Sequence, residues 1–451
     1  MSDAPSVLWL RRDLRRGDLP ALGAAATADG GAGGRAGQRP VGVAFVLDPA
    51  LWRGAGPVRR AWLAATLRAT DELYDGRLCL RVGTPASVVP HLADELGAGS
   101  VHVSRETTPV GRRRDNAVST ALASASVEWV ETGSPYAVGP GSVVNRTGSP
   151  YSVFTPFSRA WRDHGWPSPA VEPEQLELLD VPSDPDGWAM VDAALAERNL
   201  PTLPEAGQVA AHSRWAAFVE DGLAAYGQDR DRADLDGVSR LSPYLKVGAV
   251  HPRTLLADLA GRTGEGPQRF ATELAWREFY ADVLWHQPHS AWTDLRPALR
   301  NLTYEEPLDL IEAWAAGRTG YPVVDAAMRQ LLAEGWMHNR MRMVTASFLT
   351  KDLHVWWPTG ARHFLAQLID GDIASNNHGW QWVAGTGTDA SPYFRVFNPV
   401  SQGLRFDPAG DYVRRYVPEL AHLSGPAVHE PWKHTEGYTH GYPERILDHA
   451  R

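Results

Sequence analysis

The chain has 451 residues, of which 43% are hydrophobic and 22% are charged, and its formal net charge is −9. This composition is that of an ordinary globular protein, long enough for two or three domains. The only cysteine is Cys79, which excludes disulfides within the chain, cysteine zinc sites and four-cysteine iron–sulfur clusters. The acidic balance gives no global sign of a nucleic-acid partner, but a local basic face would be enough to bind one.

The first 132 residues alternate strand-like and helix-like segments. Short apolar runs at 6–10, 41–47, 78–82, 100–103 and 127–130 are separated by helical patterns at 19–28, 59–74, 85–96 and 112–124. Strands spaced by helices predict an α/β domain with a doubly wound parallel sheet. The N-terminal apolar run leads directly into Arg11-Arg12-Asp13, unlike a signal peptide, and no run approaches the length of a membrane span. We therefore expect a cytoplasmic protein that does not enter a membrane, and we expect it to be a monomer.

The rest of the chain divides into a connector and a helical domain. Residues 133–211 are rich in Pro, Gly, Ser and acidic residues, which predicts a long connector with short helical pieces. From residue 212 to 451 the pattern is mostly helical, with predicted helices at 214–225, 252–259, 268–286, 322–334, 336–349 and 360–368.

One motif near the N-terminus is misleading. Residues 31–36 fit the dinucleotide fingerprint G-x-G-x-x-A, but they follow a predicted helix and precede a predicted strand. The fingerprint must follow a strand and open a helix, so we interpret these residues as a surface loop.

The segment from residue 335 to 399 combines many Trp, Asn, Asp and Arg residues. A Trp ring left in water exposes a large apolar surface, and an Asn or Asp buried without hydrogen-bond partners costs free energy. A segment rich in both predicts a polar cavity with aromatic walls, which suits a large, flat, hydrogen-bonding cofactor.

Two earlier segments have a plain and a functional interpretation. Residues 238–245 place hydroxyls and an Arg before a helical run, either as a simple helix cap or as an anion site. Glu273, Trp276, Arg277 and Tyr280 share one face of a predicted helix, either as an amphipathic face with salt bridges or as a substrate wall.

Two further patterns lie within residues 335–399. Asn339 and Met343 share a helix face, either as core filler or as the floor of a pocket. Asp370-Gly371-Asp372 lacks a His or a third acid at metal-binding spacing, so we expect no metal there. The two carboxylates are better suited to bind a cofactor or to pair with Arg342.

Together these motifs resemble the photolyase/cryptochrome family, and within it the class I cyclobutane pyrimidine dimer DNA photolyases. The resemblance runs from Trp-Leu-Arg-Arg-Asp-Leu-Arg at 9–15 to His-Glu-Pro-Trp at 429–432. It implies an α/β antenna domain, a connector and a helical FAD domain. It also implies light-driven repair, in which reduced FAD passes an electron to a dimer flipped out of the DNA and the two bonds joining the bases break.

The resemblance assigns the cofactor and lesion residues. Those implied to bind FAD are Tyr226, Val238, Ser239, Arg240, Leu241, Ser242, Phe270, Arg342, Asp370, Gly371, Asp372 and Asn376. Those implied to be catalytic are Glu273, Asn339, Met343 and Asn376. The lesion and its DNA are implied to contact Glu273, Trp276, Tyr280, Asn339, Met343 and Trp382, with phosphate contacts from Arg230, Arg277, Arg340 and Arg395. Val238 departs from the family, which usually has Thr or Ser there, so one hydroxyl contact is lost.

The resemblance also implies a route for electrons and a site for an antenna. Trp380 and Trp357 match the first two positions of the family's tryptophan relay, whereas the outermost falls on Tyr304, which must lose a proton when oxidised. A slower last step or a route through Trp356 would follow. The antenna residues implied are Phe45, Asp48, Arg59, Glu106 and Lys246. Because the Asn-Glu pair of folate-using members is absent before Arg112, 8-hydroxy-5-deazaflavin is favoured over methenyltetrahydrofolate.

Two rival functions remain open at this stage. The first is a signalling cryptochrome, and the intact dimer-pocket residues argue against it. The second is a (6-4) photolyase, which would carry His where Asn339 and Met343 stand.

Overall fold

The computed structural model describes residues 4–28, 37–388 and 396–449. The G-x-G-x-x-A motif at 31–36 and Arg395 lie outside these residues.

The N-terminal domain is built on a five-stranded parallel sheet. Two further short strands lie outside this sheet. In chain order all the described strands are β1 (Ser6–Leu10), β2 (Thr27–Ala28), β3 (Gly37–Gln38), β4 (Val41–Leu47), β5 (Leu78–Val82), β6 (Ser100–Val103) and β7 (Glu128–Glu131). The sheet order is β5-β4-β1-β6-β7, while β2 and β3 form a separate antiparallel pair. Every residue of β1 and β4 is buried, as expected for central strands covered on both faces. The predicted doubly wound sheet is confirmed.

Five helices connect these strands, and prolines explain where they start. They are α1 (Pro20–Ala26), α2 (Pro49–Gly54), α3 (Pro57–Leu73), α4 (Pro85–Glu95) and α5 (Pro109–Ser124). Each begins with a proline, whose fixed φ and missing N–H suit the first helical position. The α5 helix starts before the predicted residue 112 because the Thr108 side chain caps it by accepting a hydrogen bond from the Gly111 N–H.

The connector contains two helices, α6 (Phe154–His164) and α7 (Pro185–Leu195). The next helix, α8 (Gly207–Asp221), spans the predicted boundary at residue 212. The divisions at residues 132 and 212 stay predictions, and the structure shows that the second one lies inside a helix.

The C-terminal half is helical, as predicted. Its α-helices are α9 (Tyr226–Asp229), α10 (Ser242–Val247), α11 (Pro252–Leu259), α12 (Glu265–His286), α13 (Leu308–Ala315), α14 (Pro322–Glu334), α15 (Asn339–Ser347), α16 (Trp357–Gln367), α17 (Ile373–Ala384), α18 (Pro399–Phe406) and α19 (Asp411–Tyr416). A π-helical turn at Phe348–Asp352 continues α15, and short 3₁₀ turns lie at Pro288–Ala291, Pro297–Leu299, Pro418–Leu420, Gly425–His429 and Pro431–Lys433. The α15 helix begins at Asn339 rather than at the predicted residue 336 because the His338 side chain caps the Arg340 N–H.

Buried charges join the two halves. Asp18 accepts hydrogen bonds from Arg253 at 2.6 Å and from Thr254 at 3.1 Å, and Arg12 pairs with Asp372 at 2.8 Å. Breaking a buried pair leaves an uncompensated charge, so these contacts favour a single arrangement of the halves. Within the ranges that the structure describes, no helix is long and apolar enough to span a membrane, and no group of three acidic, His or Cys side chains is placed to hold a metal.

Candidate cofactor and lesion site

The loop before α10 leaves several backbone N–H groups without partners. The N–H groups of Ser239, Arg240 and Ser242 meet no acceptor within the described part of the chain, and Arg240 has a left-handed φ of 52°. Arg214 holds the loop from outside by donating to the carbonyls of Val238 and Ser239 at 3.0 and 2.9 Å. Consecutive free N–H groups around a left-handed residue form a concave anion site. The loop therefore suits a pyrophosphate even though Val238 supplies no hydroxyl.

An aromatic wall stands beside this loop. Tyr226 is buried with its ring 5.7 Å from Phe270 and 5.5 Å from Phe218. Leu241 is buried in the same core cluster. These side chains give the loop an apolar backing, which raises the strength of any polar contact made across it.

The predicted pair of Arg342 and Asp370 forms in the structure with two parallel hydrogen bonds. The two guanidinium nitrogens lie 3.1 and 2.7 Å from the two carboxylate oxygens, and Arg342 also donates through Nε to the Met337 carbonyl. The Asp370 carboxylate is nearly fully buried while Arg342 is a quarter exposed. Such a planar pair presents one flat hydrogen-bonding edge.

Asp372 faces away from that pair, across the turn at Gly371. Its Oδ1 caps α17 by accepting from the N–H groups of Ala374 and Ser375, and its Oδ2 lies 2.8 Å from Arg12 and 3.4 Å from Lys246. Burial would raise the pKa of Asp372, but the charges of Lys246 and Arg12 outweigh it and hold the pKa well below its usual range. The structure thus places Asp372 at the junction with the N-terminal domain.

The α12 face carries the predicted lesion wall. Glu273 accepts a hydrogen bond from Arg230 through Oε1, and its Oε2 is left without a partner among the described residues. The Trp276 ring is stacked on Phe154 of α6, with centroids 3.7 Å apart and planes 7° apart. Tyr280 lies against Trp276 on one side and is stacked on His378 on the other. One face of Trp276 is therefore held by Phe154.

Arg277 does not join this wall. It donates to the carbonyls of Pro135 and Leu245 at 2.8 and 3.1 Å, and its guanidinium lies over the Tyr136 ring. These contacts tie α12 to the connector and to α10, so we leave Arg277 out of the proposed DNA-binding set.

The other lesion residues lie on α15 and α17, which pack against each other. Asn339 is exposed and its side chain makes no hydrogen bond in the described part of the molecule, while Met343 and Trp382 are half-buried. Asn376 donates to the Ala361 carbonyl at 3.2 Å and to Asn377 at 2.8 Å. The Asn339 amide is thus free among the described residues, on a helix that packs against the helix of Trp382.

A second candidate site lies at the carboxyl ends of the parallel strands. Arg12 follows β1 and Glu106 follows β6, and their charged atoms lie 3.5 Å apart where the strand order reverses. Lys246 and Asp372 approach the same place from the helical half. Ligands of open α/β sheets bind at this kind of reversal point. Burial alone would raise the pKa of Glu106, but the charges of Arg12 and Arg114 lower it to about 2.

The remaining predicted antenna residues lie on β4 and the two helices after it. Phe45 is buried near the end of β4, Asp48 caps α2 by accepting from the Ala50 N–H, and Arg59 donates to the Leu365 carbonyl at 3.0 Å. Burial lowers the pKa of Lys246 to about 8, although the Asp372 charge opposes this.

The aromatic residues predicted for electron transfer lie on α16, on α17 and on the segment before α13. Trp380 and Trp357 are buried, whereas Tyr304 and Trp356 are half-buried and stacked on each other. The four rings together run from the core towards the surface.

Three structural neighbours of the site were missed from the sequence. Nothing in the sequence indicated Phe154, because the irregular pattern of the connector does not show which of its residues pack on α12. Arg12 lies in the Arg-rich run after β1, and its position after a predicted strand could have indicated the crevice. Asp294 accepts a hydrogen bond from the Trp357 indole N–H at 2.8 Å, and in the sequence it follows a Trp-Thr pair with no periodic pattern around it.

The residues present fit FAD. The unpaired N–H groups of the 238–242 loop suit the pyrophosphate, and the flat edge of the Arg342–Asp370 pair suits a ring that both donates and accepts hydrogen bonds. The Asn376 amide lies six residues after Asp370 in the sequence and is a further hydrogen-bonding group for the same ring.

Two family models match the chain. The model described as DNA photolyase matches residues 6–175, and the model described as FAD binding domain of DNA photolyase matches residues 270–451. A deoxyribodipyrimidine photo-lyase from Streptomyces griseus is 42% identical and covers 90% of both chains. One from Halobacterium salinarum is 38% identical, over 99% of this chain and 96% of the relative.

Solved structures agree with these matches. A class III photolyase from Agrobacterium tumefaciens has a TM-score of 0.88 and 33% identity, covering 100% of this chain and 95% of its own. A Synechocystis cryptochrome has a TM-score of 0.86 and 26% identity, covering 99% of this chain and 98% of its own. An archaeal photolyase from Sulfolobus tokodaii with two FAD molecules has a TM-score of 0.83 and 26% identity, covering 98% and 96%.

The fold and the cofactor site define a flavin-binding protein. This chain belongs to the DNA photolyase family. Its function is light-dependent DNA repair with FAD, and its enzyme class is lyase. The cryptochrome alternative is not favoured, because the relatives from Streptomyces griseus and Halobacterium salinarum, at 42% and 38% identity, are both deoxyribodipyrimidine photo-lyases.

Proposed function

We propose that this chain splits cyclobutane pyrimidine dimers that have flipped out of UV-damaged DNA, in the space bounded by α12, α15 and α17. The observation that carries the proposal is Glu273, whose second carboxylate oxygen has no partner within the described chain and lies on the same helix face as Trp276. A carboxylate can only accept hydrogen bonds, so it suits the N–H edge of a pyrimidine. An unpaired base edge buried in the site would otherwise lose its hydrogen bonds to water.

The other side chains complete a pocket for two unstacked bases. The rings of Trp276 and Trp382 offer apolar surface to the base faces, and the Asn339 amide can both donate to and accept from a base edge. Met343 fills space with a flexible thioether. Flipping costs least at a damaged site, because the dimer is already poorly stacked, and this favours lesions over intact DNA.

We propose that FAD is held by three groups of residues. The loop 238–242 would bind the pyrophosphate, Tyr226 and Phe270 would pack against the cofactor, and Arg342, Asp370 and Asn376 would bind its ring system. Reduced FAD supplies the electron that splits the dimer when light excites it. Because the Asp372 carboxylate is engaged by Arg12 and Lys246, we assign it an indirect role, in which it fixes the turn that presents Asp370.

Arg230 and Arg340 are the proposed phosphate contacts. Each is already paired with a carboxylate, Arg230 with Glu273 and Arg340 with Asp231 at 2.9 Å. Phosphate contacts position the protein on DNA without reading its sequence. They explain how a chain of net charge −9 binds a polyanion. We further propose that the protein works as a monomer in the cytoplasm, where its DNA substrate would be.

We propose that the crevice around Arg12, Glu106 and Lys246 binds an antenna chromophore, with 8-hydroxy-5-deazaflavin favoured over methenyltetrahydrofolate. Support comes from the clustered charges at the reversal point of the sheet and from the missing Asn-Glu pair. The Sulfolobus photolyase with two FAD molecules makes a second flavin the alternative occupant. An absorption spectrum of the purified protein separates the three chromophores by their bands.

The test of repair uses the purified protein with chemically reduced FAD. Single-stranded DNA containing a defined pyrimidine dimer is illuminated with near-ultraviolet light and compared with a dark sample. We expect loss of dimers only in the light. Equal dimer content in both samples, with FAD shown to be bound, would refute the proposed function.

A further inference from the structure

A cleft outside the sites described above lies between the connector and the start of the helical domain. Its volume is about 880 Å³, and its walls come from the connector at 162–169, from α11 and the turn after it, and from the first two turns of α12. Cavities that bind small molecules have volumes of about 300–1,000 Å³. No residue assigned above to FAD, to the lesion or to the antenna lines this cleft. It is therefore large enough for a ligand that the proposed repair reaction does not use.

Arginine dominates the charged lining of the cleft. The charged residues that line it are Arg162, Arg253, Arg262, Arg269 and Glu265. Arg262 donates through Nε to the Asp258 carbonyl at 2.9 Å, which leaves its two terminal nitrogens for other acceptors. Arg262 and Arg269 are both exposed, and neither forms an ion pair with a carboxylate in the part of the chain that the structure describes. The planar fork of a guanidinium matches the oxygens of a phosphate, so this lining suits an anion.

Arg253 is the buried cation of the cleft. It is only 6% exposed, Asp18 accepts from its Nη2 at 2.6 Å, and His251 Nδ1 accepts from its Nε at 3.2 Å. The third nitrogen, Nη1, has no acceptor among the described residues. Since Arg253 lines the cleft, an acceptor oxygen that enters the cleft can take up this hydrogen bond.

The walls of the cleft are fixed before a ligand enters. Asp18 Oδ1 accepts from the Ala170 N–H at 2.8 Å as well as from Arg253, so one carboxylate holds the connector and the buried cation together. At the other wall Arg162 donates to the Thr272 hydroxyl at 2.7 Å, which ties α6 to α12. A site that is already ordered loses less conformational entropy when a ligand binds.

Trp166 gives the cleft an aromatic wall. Its ring lies against the Trp161 ring with centroids 4.5 Å apart and planes 32° apart. Trp161 is fully buried and donates its indole N–H to Glu278 at 2.9 Å, so the pair is anchored in the core. Pro167 and Pro169 extend the apolar lining. The half-buried Trp166 ring is thus supported from behind and can stack with a flat ring in the cleft.

We propose that this cleft binds a nucleoside monophosphate, with its base on Trp166 and its phosphate on Arg253 and Arg262. A phosphate monoester carries about two negative charges at neutral pH and has three strong acceptor oxygens, which match the excess of arginine. Glu265 is exposed, so solvent screens its repulsion of the phosphate. The inference goes beyond the proposed repair reaction and does not depend on it.

A free nucleotide fits the cleft better than a strand of DNA does. The phosphodiester of a strand is flanked by sugars on both sides, whereas a terminal phosphate can reach a guanidinium as buried as that of Arg253. The position on α12 agrees with this choice. Gln268 and Ala271 of the cleft lie about 140° and 160° around the helix axis from Glu273 of the lesion wall, at 3.6 residues per turn. The two sites therefore lie on different sides of α12.

The experiment is calorimetric titration of AMP into the FAD-loaded protein in the dark. We expect saturable binding of one AMP per chain. Adenosine lacks the phosphate and should bind at least about ten-fold more weakly, since hydrogen bonds to a charged group are lost. Ribose 5-phosphate lacks the base and should bind at least about five-fold more weakly. Single-stranded oligothymidine without a terminal phosphate should not displace AMP.

Three variants locate the site. Arg262→Gln removes a cation, and Arg253→Lys keeps a cation for Asp18 but removes Nη1, so each should weaken AMP binding at least about ten-fold. Trp166→Leu should weaken AMP binding at least about five-fold and leave ribose 5-phosphate binding unchanged. The matched controls are Arg198→Gln, at an exposed arginine of the connector, and Arg59→Gln, in the proposed antenna crevice. Both should bind AMP as the wild type does.

Melting temperature, FAD content and dimer splitting are measured for every variant, and all three should match the wild type in Arg262→Gln and Trp166→Leu. These two change exposed or half-buried positions, so they still decide the matter if Arg253→Lys fails to fold.

Four outcomes would overturn the proposal. They are the absence of saturable AMP binding, AMP binding no tighter than that of inorganic phosphate and insensitive to Trp166→Leu, displacement of AMP by the oligothymidine, and loss of AMP binding in Arg59→Gln with wild-type affinity in the cleft variants. The second would leave only an anion site, the third would assign the cleft to a DNA strand, and the fourth would assign AMP to the antenna crevice.

Discussion

Replacement of Glu273 by Gln tests the lesion pocket most directly. Glu273→Gln keeps the size of the side chain but removes the charge that holds Arg230 and that we propose accepts the base N–H. A hydrogen bond to a charged group contributes about 1.5–3 kcal/mol. Since each 1.4 kcal/mol is a factor of about ten, we expect preference for dimer-containing over undamaged DNA to fall by about 10- to 150-fold.

The measurement is equilibrium binding in the dark, at one fixed salt concentration, because affinity for DNA depends steeply on salt. The matched control is Glu265→Gln, which changes an exposed acid at the start of the same helix. FAD content should stay at the wild-type level in both variants. An unchanged preference for the dimer in FAD-loaded Glu273→Gln would show that Glu273 does not contact the lesion.

Three further variants test other parts of the assignment. Arg340→Gln should lower the slope of log affinity against log salt by about one, equally for damaged and undamaged DNA, and an unchanged slope would remove Arg340 from the phosphate contacts. Phe154→Leu removes the ring stacked on Trp276, a contact of about 0.5–1.5 kcal/mol. Affinity for the dimer should therefore fall about 2- to 13-fold at constant FAD content. Equal affinity would show that the stack on Phe154 is not needed to hold Trp276 in its binding position. The pKa of Glu106 is lowered from 4.5 to about 2 on folding, which contributes about 3 kcal/mol above pH 4.5 at ~1.36 kcal/mol for each pKa unit. This contribution is lost as the pH falls from about 4.5 to about 2. The difference in unfolding free energy between the wild type and Glu106→Gln should therefore shrink over that pH range. A difference independent of pH would show that the charges of Arg12 and Arg114 do not lower the pKa of Glu106.

The parts of the fold that were predictable are those with strong periodic signals. Alternation of short apolar runs and helices indicated the parallel sheet, and the order of elements indicated a helical second half. Pairing with Arg342 was one of the two interpretations of the Asp370-Gly371-Asp372 turn, the other being cofactor binding, and the structure shows the pair at Asp370. In contrast, the contacts of Arg277 with the Pro135 and Leu245 carbonyls depend on how the connector and α10 pack against α12, which no local pattern encodes.

The turn at Gly371 shows where sequence reasoning stops. Two acids on either side of a glycine gave no indication of which one would face the cofactor. The structure separates them, because Asp370 pairs with Arg342 whereas Asp372 caps α17 and reaches Arg12 in the other domain. Their division between two sites depends on the packing of the N-terminal domain, and that is a property of the whole fold.

The arginines proposed to bind DNA are already held in ion pairs in the free protein, although the chain as a whole is acidic. Arg230 and Arg340 are each oriented by a partly exposed carboxylate, Glu273 and Asp231. Partly exposed ion pairs contribute only about 0–1 kcal/mol, so exchanging a carboxylate for a phosphate costs little. The side-chain entropy of holding an arginine in one geometry has by then already been lost in the free protein. For Arg230 the exchange has a further effect, since a phosphate that takes over its guanidinium frees Oε1 of Glu273 for the lesion. Backbone contact and base contact are thereby coupled through one ion pair. Arg230→Gln removes both the phosphate contact and the charge that competes for Oε1, so it should weaken overall affinity while the dimer preference stays at least as high as in the wild type. Arg340→Gln should weaken overall affinity with the dimer preference unchanged.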